Sequence, residues 1–279
     1  MKKTKLKKTV IDIIIGIIIF VCVFNIVVSI YHIVLWKNEG NEIEKELDEI
    51  EEITAPVEVV EDDNKDRIEI IKQQEEPDEL NPYWAYVNMN LISVDFSDLK
   101  EVNSDTVGWI QVNGTNINYP FVQTNNNEYY LKHSFNKKNN SAGWVFLDYR
   151  NSNELTDKNN ILYAHGRIDN TMFGTLRKAL TNGWLDDKNN FVIKISTPKE
   201  NTLWQVFSAY KIPATSDYIQ VKFNSDDKFL EFGNMLIKRS AYNFNTSISK
   251  DDKILTLSTC YDNKERMVVH AKLIKRETR

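Results

Sequence analysis

Cysteine is almost absent from this chain of 279 residues, which contains only Cys22 and Cys260. Cys22 lies inside a long apolar run, where we expect it to serve as a small apolar side chain. A disulfide framework is therefore excluded, and Cys260 is the single cysteine outside that run. An unpaired thiol allows two interpretations at this point, a buried and inert side chain or a reactive group.

Basic clusters are also missing from the greater part of the chain. Residues 37–80 carry 18 acidic and 5 basic side chains, whereas residues 81–279 carry 21 acidic and 25 basic ones. The formal net charge of −5 thus arises from one acidic stretch and says nothing about the partners of the folded part. Residues 81–279 contain no basic cluster with interleaved aromatic residues, so nucleic acid binding is not expected.

The clearest physical signal is an apolar run near the N-terminus. Lysines crowd residues 2–8, and the run from Val10 to Trp36 that follows is dominated by Ile, Val and Phe. About 20 apolar residues cross a bilayer as a helix, so this run is long enough for a membrane anchor. The positive-inside rule predicts a cytoplasmic N-terminus and an exported remainder. A cleavable signal peptide is the alternative, although no small-residue cleavage motif follows Ser29.

Composition divides the rest of the chain into a spacer and a folded domain. Apolar residues recur at helical spacing from Ile43 to Ile53, which predicts a short amphipathic helix that ends before Pro56. The following residues are acidic and poor in aromatic side chains, as expected for a solvated linker. The predicted segments are a basic cytoplasmic tail at 1–9, a transmembrane anchor at 10–36, an acidic spacer at 37–82 and a folded domain at 83–279.

From Tyr83 onward the sequence consists of short β-type runs separated by turn residues. Asn113-Gly114 is a strong hairpin signal between two of these runs. Helical spacing predicts two helices, at Met172–Leu180 and at about Asp227–Tyr242. Short strands at this density favour a closed barrel or a sandwich. The predicted strands are Gly108–Val112, Thr115–Val122, Gly143–Asp148, Asn160–Ala164, Phe191–Ser196, Leu203–Tyr210, Tyr218–Phe223, Ile254–Ser258 and Met267–Ile274.

Cys260 stands at a place that suits a nucleophile. It closes the alternating run Ile254–Thr259 and is followed by polar residues, so a strand end would fix its backbone and leave the thiol open to solvent. A thiol becomes reactive when a base or a positive charge lowers its pKa. The position therefore favours the reactive interpretation of Cys260 over the inert one.

Four histidines could supply the base. His165 directly follows a predicted apolar strand, which makes it the favoured candidate, and His133 in a mixed stretch stays an alternative. His270 lies inside a predicted strand and is interpreted as a structural residue. His32 lies in or beside the apolar run and is set aside.

Acyl transfer also requires a group that stabilises the oxyanion as it forms. Arg266 begins the last predicted strand, six residues after Cys260, so the short connection could bring its guanidinium to the Cys260 end of the sheet. A surface charge is the alternative interpretation of this arginine.

Several short segments combine into one pattern. They are Thr256-Leu257-Ser258-Thr259-Cys260, Arg266-Met267-Val268-Val269-His270-Ala271-Lys272, Tyr163-Ala164-His165-Gly166 with Asn170-Thr171-Met172-Phe173, Gly114–Pro120, Val206–Lys211 and the helix inserted near Asp227–Tyr242. In this order they resemble the signature of the sortases, and of class B sortases in particular. The resemblance covers about residues 83–276.

The resemblance implies a mainly β fold, a sortase-type eight-stranded β-barrel with peripheral helices, preceded here by one N-terminal transmembrane helix. It implies a catalytic domain at 83–279 that works without calcium or another cofactor. His165, Cys260 and Arg266 match the catalytic positions, and Asp262 matches an acidic position of related enzymes. The residues that match the groove for the sorting signal are Asn127, Leu131, Tyr218, Ile219 and Ser258.

The implied activity is transpeptidation of surface proteins onto the cell wall. Cys260 would attack the carbonyl after threonine in an LPxTG-like or NPxTN-like sorting signal, and a peptidoglycan amine would resolve the thioester. The implied location is the cell membrane of a Gram-positive-type envelope, with the catalytic domain outside. Two alternatives stay open from the sequence: a cysteine peptidase that releases proteins by hydrolysis, and a membrane-tethered binding domain without activity.

Overall fold

The computed structural model describes residues 2–59, 65–71, 83–260 and 265–279. The chain divides into two compact units, Met1–Glu42 and Ile43–Arg279. Among these described residues, the second unit contains every strand and all helices after the first.

A single helix, α1, runs from Lys2 to Ile53. Its large apolar side chains between Val10 and Trp36 are exposed, and the mean hydropathy of its most apolar stretch is 3.1. Among the described residues it is the one helix long and apolar enough to cross a membrane. The predicted apolar helix is confirmed, and the helix predicted at Ile43–Ile53 is its continuation.

The last turns of α1 belong to the second unit. Ile43 and Ile50 are buried in its main core, and Glu46 between them accepts a hydrogen bond from the backbone N–H of Asn136. Burial of two isoleucines on one face of a helix is worth roughly 1.5–3 kcal/mol each. These turns are therefore packed against the folded unit, with the buried face given by the helical spacing of the isoleucines.

Eight strands close into a barrel. Following the hydrogen bonds, the ring runs β10, β7, β6, β5, β4, β8, β9 and β11, and the pairing of β11 with β10 closes it. β10 with β7 and β5 with β6 are parallel, and the other pairs are antiparallel. The strands are β4 (Thr106–Val112), β5 (Asn118–Val122), β6 (Phe146–Leu147), β7 (Asn159–Ala164), β8 (Val192–Ser196), β9 (Glu200–Pro213), β10 (Ile254–Cys260) and β11 (Glu265–Thr278). The expected eight-stranded barrel is confirmed.

Three short strands lie outside the ring. β1 (Val57–Glu58) pairs with β3 (Ile92–Ser93), and β2 (Ile68–Ile70) pairs with residues 275–277 of β11. β11 therefore uses one edge for β9 and divides its other edge between β10 and β2. The described parts of the acidic stretch thus add strand pairs to the folded unit.

Short helices surround the barrel. α5 is the longest of them, and its sequence marks both ends: the hydroxyl of Ser225 accepts from Lys228 N at the N-terminus, with acidic residues in the first turn and basic ones in the last. This helix α5 spans Asp226–Arg239, and the shorter ones are α2 (Tyr83–Val87), α3 (Ser97–Val102) and α4 (Asn182–Leu185). The 3-10 turns cover Lys65–Arg67, Tyr129–Leu131, Gly174–Leu180 and Lys188–Asn190.

Two hydrophobic clusters stabilise the unit. The larger combines residues of the barrel strands with residues of neighbouring helices and includes Trp109, Trp144 and Trp204. The smaller lies between α5 and the outer face of β9 and β11, where Phe229 and Phe232 of the helix join residues of these strands. The inserted helix therefore has its own core outside the barrel.

Two sequence predictions need correction. Tyr218–Phe223 is not a strand: Tyr218 and Val221 are its buried residues, a spacing of three that does not match the two-residue alternation of a strand. The helix predicted from Met172 starts only at Gly174 and is a 3-10 turn, because Met172 has a φ of 52°, which a right-handed helix excludes. The hairpin at Asn113-Gly114 is present, but its second strand starts at Asn118.

The glycine inside α5 yields a prediction. Ala is favoured over Gly in a helix by about 1 kcal/mol, yet an added Cβ at Gly233 would lie 2.6 Å from Cγ2 of Ile248. Overpacking costs about 1–3 kcal/mol, so we expect Gly233→Ala to lower the free energy of unfolding. Urea unfolding of the detergent-solubilised full chain measures the change.

Gly183→Ala in α4 is the matched control, because an added Cβ at Gly183 meets no atom within 4 Å. This change should leave stability equal or slightly higher. In an Ile248→Ala background the cost of Gly233→Ala should fall by more than half. An unchanged cost in that background would contradict the packing explanation.

Candidate active site

The parallel pair β7 and β10 brings two of the predicted residues to one edge of the barrel. Ala164 and Thr259 are partners at the ends of these strands. His165 follows Ala164, and Cys260 follows Thr259 as the last residue of β10. Neighbouring strands lie about 4.8 Å apart, so the backbones of His165 and Cys260 are close neighbours.

The antiparallel pair β10 and β11 adds the third residue. Cys260 and Arg266 are partners in this ladder, at the end of one strand and near the start of the next. Arg266 is also the partner of Ile212 in β9. Its guanidinium donates to the carbonyl of Glu265 at 3.2 Å. Asp262 lies in the connection between β10 and β11, outside the described residues, so its role stays a prediction.

The ring of His165 is oriented by a hydrogen bond at one of its two nitrogens. Its Nε2 lies 2.9 Å from the carbonyl oxygen of Leu131, and a carbonyl can only accept, so Nε2 is the donor. In the neutral ring this leaves Nδ1 as the unprotonated nitrogen. The backbone is fixed as well, because Phe173 N donates to the carbonyl of His165. The histidine therefore has one defined orientation.

His133 and His270 do not line the groove beside this edge and make contacts elsewhere. The ring of His133 stacks on Tyr129 with 4.0 Å between centroids, and its Nδ1 lies 2.7 Å from the Tyr129 carbonyl. His270 is fully buried, with Tyr210 Oη and Thr256 Oγ1 each 2.9 Å from its ring nitrogens. The interpretation of His270 as a structural residue is confirmed, and the position of His165 favours it over His133 as the base.

A groove of about 780 Å³ opens beside this edge. His165 and Arg266 line it, together with the five residues that match a sorting-signal groove: Asn127, Leu131, Tyr218, Ile219 and Ser258. The remaining lining residues are Phe146, Tyr163, Ala164, Ala214, Thr215, Ser216, Asp217 and Thr259. The fold thus gathers into one groove residues that lie far apart in the sequence, and their part in binding stays a prediction.

One side of the groove is a continuous stretch of chain. Residues 214–219 follow β9 directly and all line it. Two other lining residues come from a separate part of the chain: Leu131 belongs to a 3-10 turn, and Asn127 Oδ1 accepts from Tyr149 N. The lining residues of β7 and β10, which include Tyr163 and Ser258, are called the floor of the groove. The hydroxyls of Tyr218 and Ser258 are 2.9 Å apart, which joins residues 214–219 to this floor.

A buried carboxylate lies beneath the groove, which the sequence reasoning missed. Asp148 is fully buried and accepts from the hydroxyl of Tyr163, a groove residue, at 3.0 Å. Burial acts to raise the pKa of Asp148, but hydrogen bonds from Arg150 and Tyr163 outweigh it and lower the pKa. Burial and the Asp148 charge raise the pKa of Tyr163. An acidic residue directly after an apolar strand was the available signal.

Metal chemistry has no obvious ligand set here. Among the described residues, no group of three or more His, Cys, Asp or Glu side chains is arranged to hold a metal ion. The groups that the described residues bring to the groove include an imidazole, a guanidinium, a carboxylate, an amide and several hydroxyls. With a thiol on the neighbouring backbone, such groups suit acyl transfer.

Comparison with known proteins gives a consistent family. Residues 110–274 match the family model described as the Sortase domain. Over 181 residues the chain is 36% identical to sortase B of Listeria monocytogenes, covering 63% of this chain and 73% of that protein. Over 184 residues it is 35% identical to sortase B of Staphylococcus aureus, covering 64% of this chain and 75% of that protein.

Solved structures agree with these relatives. The fold is similar to that of a Staphylococcus aureus sortase B–substrate complex, with a TM-score of 0.61 and 35% sequence identity. The match covers 64% of this chain and 84% of that one. The range matched by the family model, residues 110–274, includes the positions of His165, Cys260 and Arg266.

The buried His270 gives a pH prediction. Burial, with the Arg239 charge as a second cause, lowers the pKa of His270 from 6.5 to about 3. Below pH 6.5 the unfolded chain binds a proton that the folded chain excludes, so this contribution to stability is lost as pH falls from 6.5 towards 3. The free energy of unfolding should therefore decrease more between pH 7 and pH 4.5 in the wild type than in His270→Gln. Parallel pH dependences would contradict the assignment.

Proposed function

The chain belongs to the sortase family as a class B cysteine transpeptidase, and we propose that it joins sorting-signal proteins to the cell wall from the membrane. The observation that carries this proposal is the barrel edge where β7, β10 and β11 meet beside the groove. His165, Cys260 and Arg266 occupy adjacent positions there. An extended peptide laid in the groove would end at this edge.

The proposed first step cleaves the sorting signal. The Cys260 thiolate attacks the carbonyl carbon of the threonine in an LPxTG-like or NPxTN-like sequence, forming a C–S bond. The guanidinium of Arg266 stabilises the oxyanion. The C–N bond then breaks as His165 gives a proton to the departing amine. Because Leu131 holds Nε2 of His165, we assign the transferred proton to Nδ1.

The proposed second step joins the protein to its acceptor. A peptidoglycan amine attacks the thioester carbonyl and forms a new amide bond, while its proton passes to His165. The C–S bond breaks and restores the thiolate of Cys260. The two steps together need no cofactor, since one amide bond is broken and another is made.

The proposed location follows from the N-terminal segment. Residues 10–36 would be the transmembrane anchor, residues 1–9 a cytoplasmic tail, residues 37–82 the connection and residues 83–279 the catalytic domain. Lysines among residues 2–8 favour a cytoplasmic N-terminus. An acceptor that is itself held at the membrane would then lie within reach of the enzyme.

Product analysis tests the reaction. Detergent-solubilised full chain, mixed with a sorting peptide and an amine acceptor, should form the peptide–amine conjugate. Cys260→Ala should abolish the conjugate, and Cys22→Ala should retain full turnover, because Cys22 lies in the apolar helix. Conjugate formation by Cys260→Ala would overturn the proposed nucleophile. Hydrolysed peptide as the sole product at saturating amine would instead indicate a peptidase.

Arg266 gives a second prediction. A lysine ammonium is a point charge that cannot reproduce the fork of a guanidinium, so Arg266→Lys should lower kcat about 10²-fold with little change in KM. Arg276→Lys is the control, since Arg276 lies near the other end of β11 and pairs with exposed Glu69. Near-normal turnover by Arg266→Lys would remove the oxyanion role.

A further inference from the structure

We infer that Arg150 is a positioning residue for peptide binding, because it holds the side of the groove formed by residues 214–220. We refer to residues 214–220 as the wall segment. The inference rests on the proposed function for its substrate, an extended sorting peptide, but its physical basis lies in the contacts of Arg150, which add to those made by Tyr218 and Asn159.

The wall segment has to be held by something other than a sheet. Regular pairing of β9 ends at Pro213, and residues 214–220 belong to no strand. Inside the segment a backbone bond joins Ile219 N to the carbonyl of Ser216 at 3.3 Å, which closes a turn. A turn fixes the local shape, but it does not fix the distance of the segment from the opposite side of the groove.

Arg150 supplies a link between the wall segment and the floor. Its Nη2 donates to the carbonyl oxygen of Ile219 at 3.0 Å. The same nitrogen donates to Oδ2 of Asp148 at 2.6 Å, and Nε donates to Oδ1 at 2.8 Å. A guanidinium held by two bonds to a carboxylate has little freedom left. The third contact therefore fixes Ile219 relative to a rigid group.

The carboxylate that holds Arg150 is itself hydrogen-bonded to the floor. Asp148 is fully buried directly after β6 and also accepts from Tyr163 Oη. A buried charge is tolerated when it is paired and hydrogen-bonded, and removing its partner is costly. The contacts thus run from Tyr163 in the groove floor through Asp148 and Arg150 to the carbonyl of Ile219.

A second link holds the neighbouring carbonyl. The side-chain amide of Asn159, at the start of β7, donates to the carbonyl oxygen of Gln220 at 2.9 Å. Its amide oxygen accepts from Thr256 Oγ1 at 2.7 Å, and that hydroxyl also contacts His270. Two adjacent carbonyls of the wall segment, both directly after the buried Tyr218, are therefore bound by side chains from other parts of the fold.

These links bear on the substrate through Ile219. Its side chain lines the groove, and its carbonyl is the atom that Arg150 holds. Without the link the segment would be held by fewer contacts, and the groove would have to be reordered when the peptide binds. Ordering a mobile segment on binding weakens affinity without changing the chemistry at the thiol.

The test separates positioning from stability with two substitutions. Lysine ends one bond short of Nη2, so Arg150→Lys keeps a positive charge near Asp148 but loses the Ile219 carbonyl. We expect Arg150→Lys to raise KM for the sorting peptide about tenfold, which is the factor expected for the loss of one charge-assisted hydrogen bond. Its kcat should stay within about twofold of the wild type, and its free energy of unfolding should stay near that of the wild type. Arg150→Gln should raise KM equally and also lower stability, because it leaves Asp148 buried and unpaired.

Arg276 is a matched control. Its side chain is 36% exposed, against 37% for Arg150, and it also pairs with a carboxylate. Arg276→Lys and Arg276→Gln should leave KM unchanged. Wild-type KM in Arg150→Lys would overturn the inference, and so would a loss in kcat with unchanged KM.

Amide hydrogen exchange decides the inference independently of activity. Without any peptide, residues 214–220 should exchange faster in both Arg150 variants and at the wild-type rate in both Arg276 variants. Unchanged exchange in the Arg150 variants would refute the link. If the wild-type enzyme turns over no sorting peptide, the proposed function fails, while this measurement still tests the role of Arg150.

Discussion

The register of three strands is the constraint on which the site depends. β10 pairs in parallel with β7 and antiparallel with β11, and these two pairings also close the barrel. A shift of one residue in either ladder would turn side chains to the opposite face. Barrel closure and assembly of the site are therefore the same event: a chain that pairs β10 correctly has also brought Cys260 beside His165 and Arg266.

The rest of the groove is held in a different way. Backbone ladders fix the edge where the reaction is proposed to occur, whereas side chains such as Arg150 and Asn159 fix the wall segment. Ladders tolerate most changes of side chain, but a contact made by one guanidinium does not. Relatives could thus change the shape of this side of the groove by single substitutions while the reactive edge stays the same.

Much of the edge could be predicted from the sequence, because His165 and Cys260 each end an alternating or apolar run and Arg266 begins one. The helix α5 also followed from side chains at helical spacing, whereas the density of short strands left a barrel or a sandwich open and the resemblance to sortases selected the barrel. The wall segment did not: its alternation around Tyr218 suggested a strand, and only tertiary contacts reveal that its carbonyls bind side chains. No sequence pattern pointed to Arg150, because its contact with Ile219 joins residues 69 positions apart in the chain. Its other partner, Asp148, is only two residues away and gives no hint of that contact.

The end of α1 has a practical consequence. Ile43 and Ile50 fill the main core of the second unit, and β1 and β2 pair with other strands of that unit. A water-soluble form of the enzyme that began at Tyr83 would therefore leave a hydrophobic hollow on its surface and an uncovered edge on β11. The natural place to cut lies between Trp36 and Gly40, where the membrane-type composition has ended and the buried residues of the helix have not yet begun.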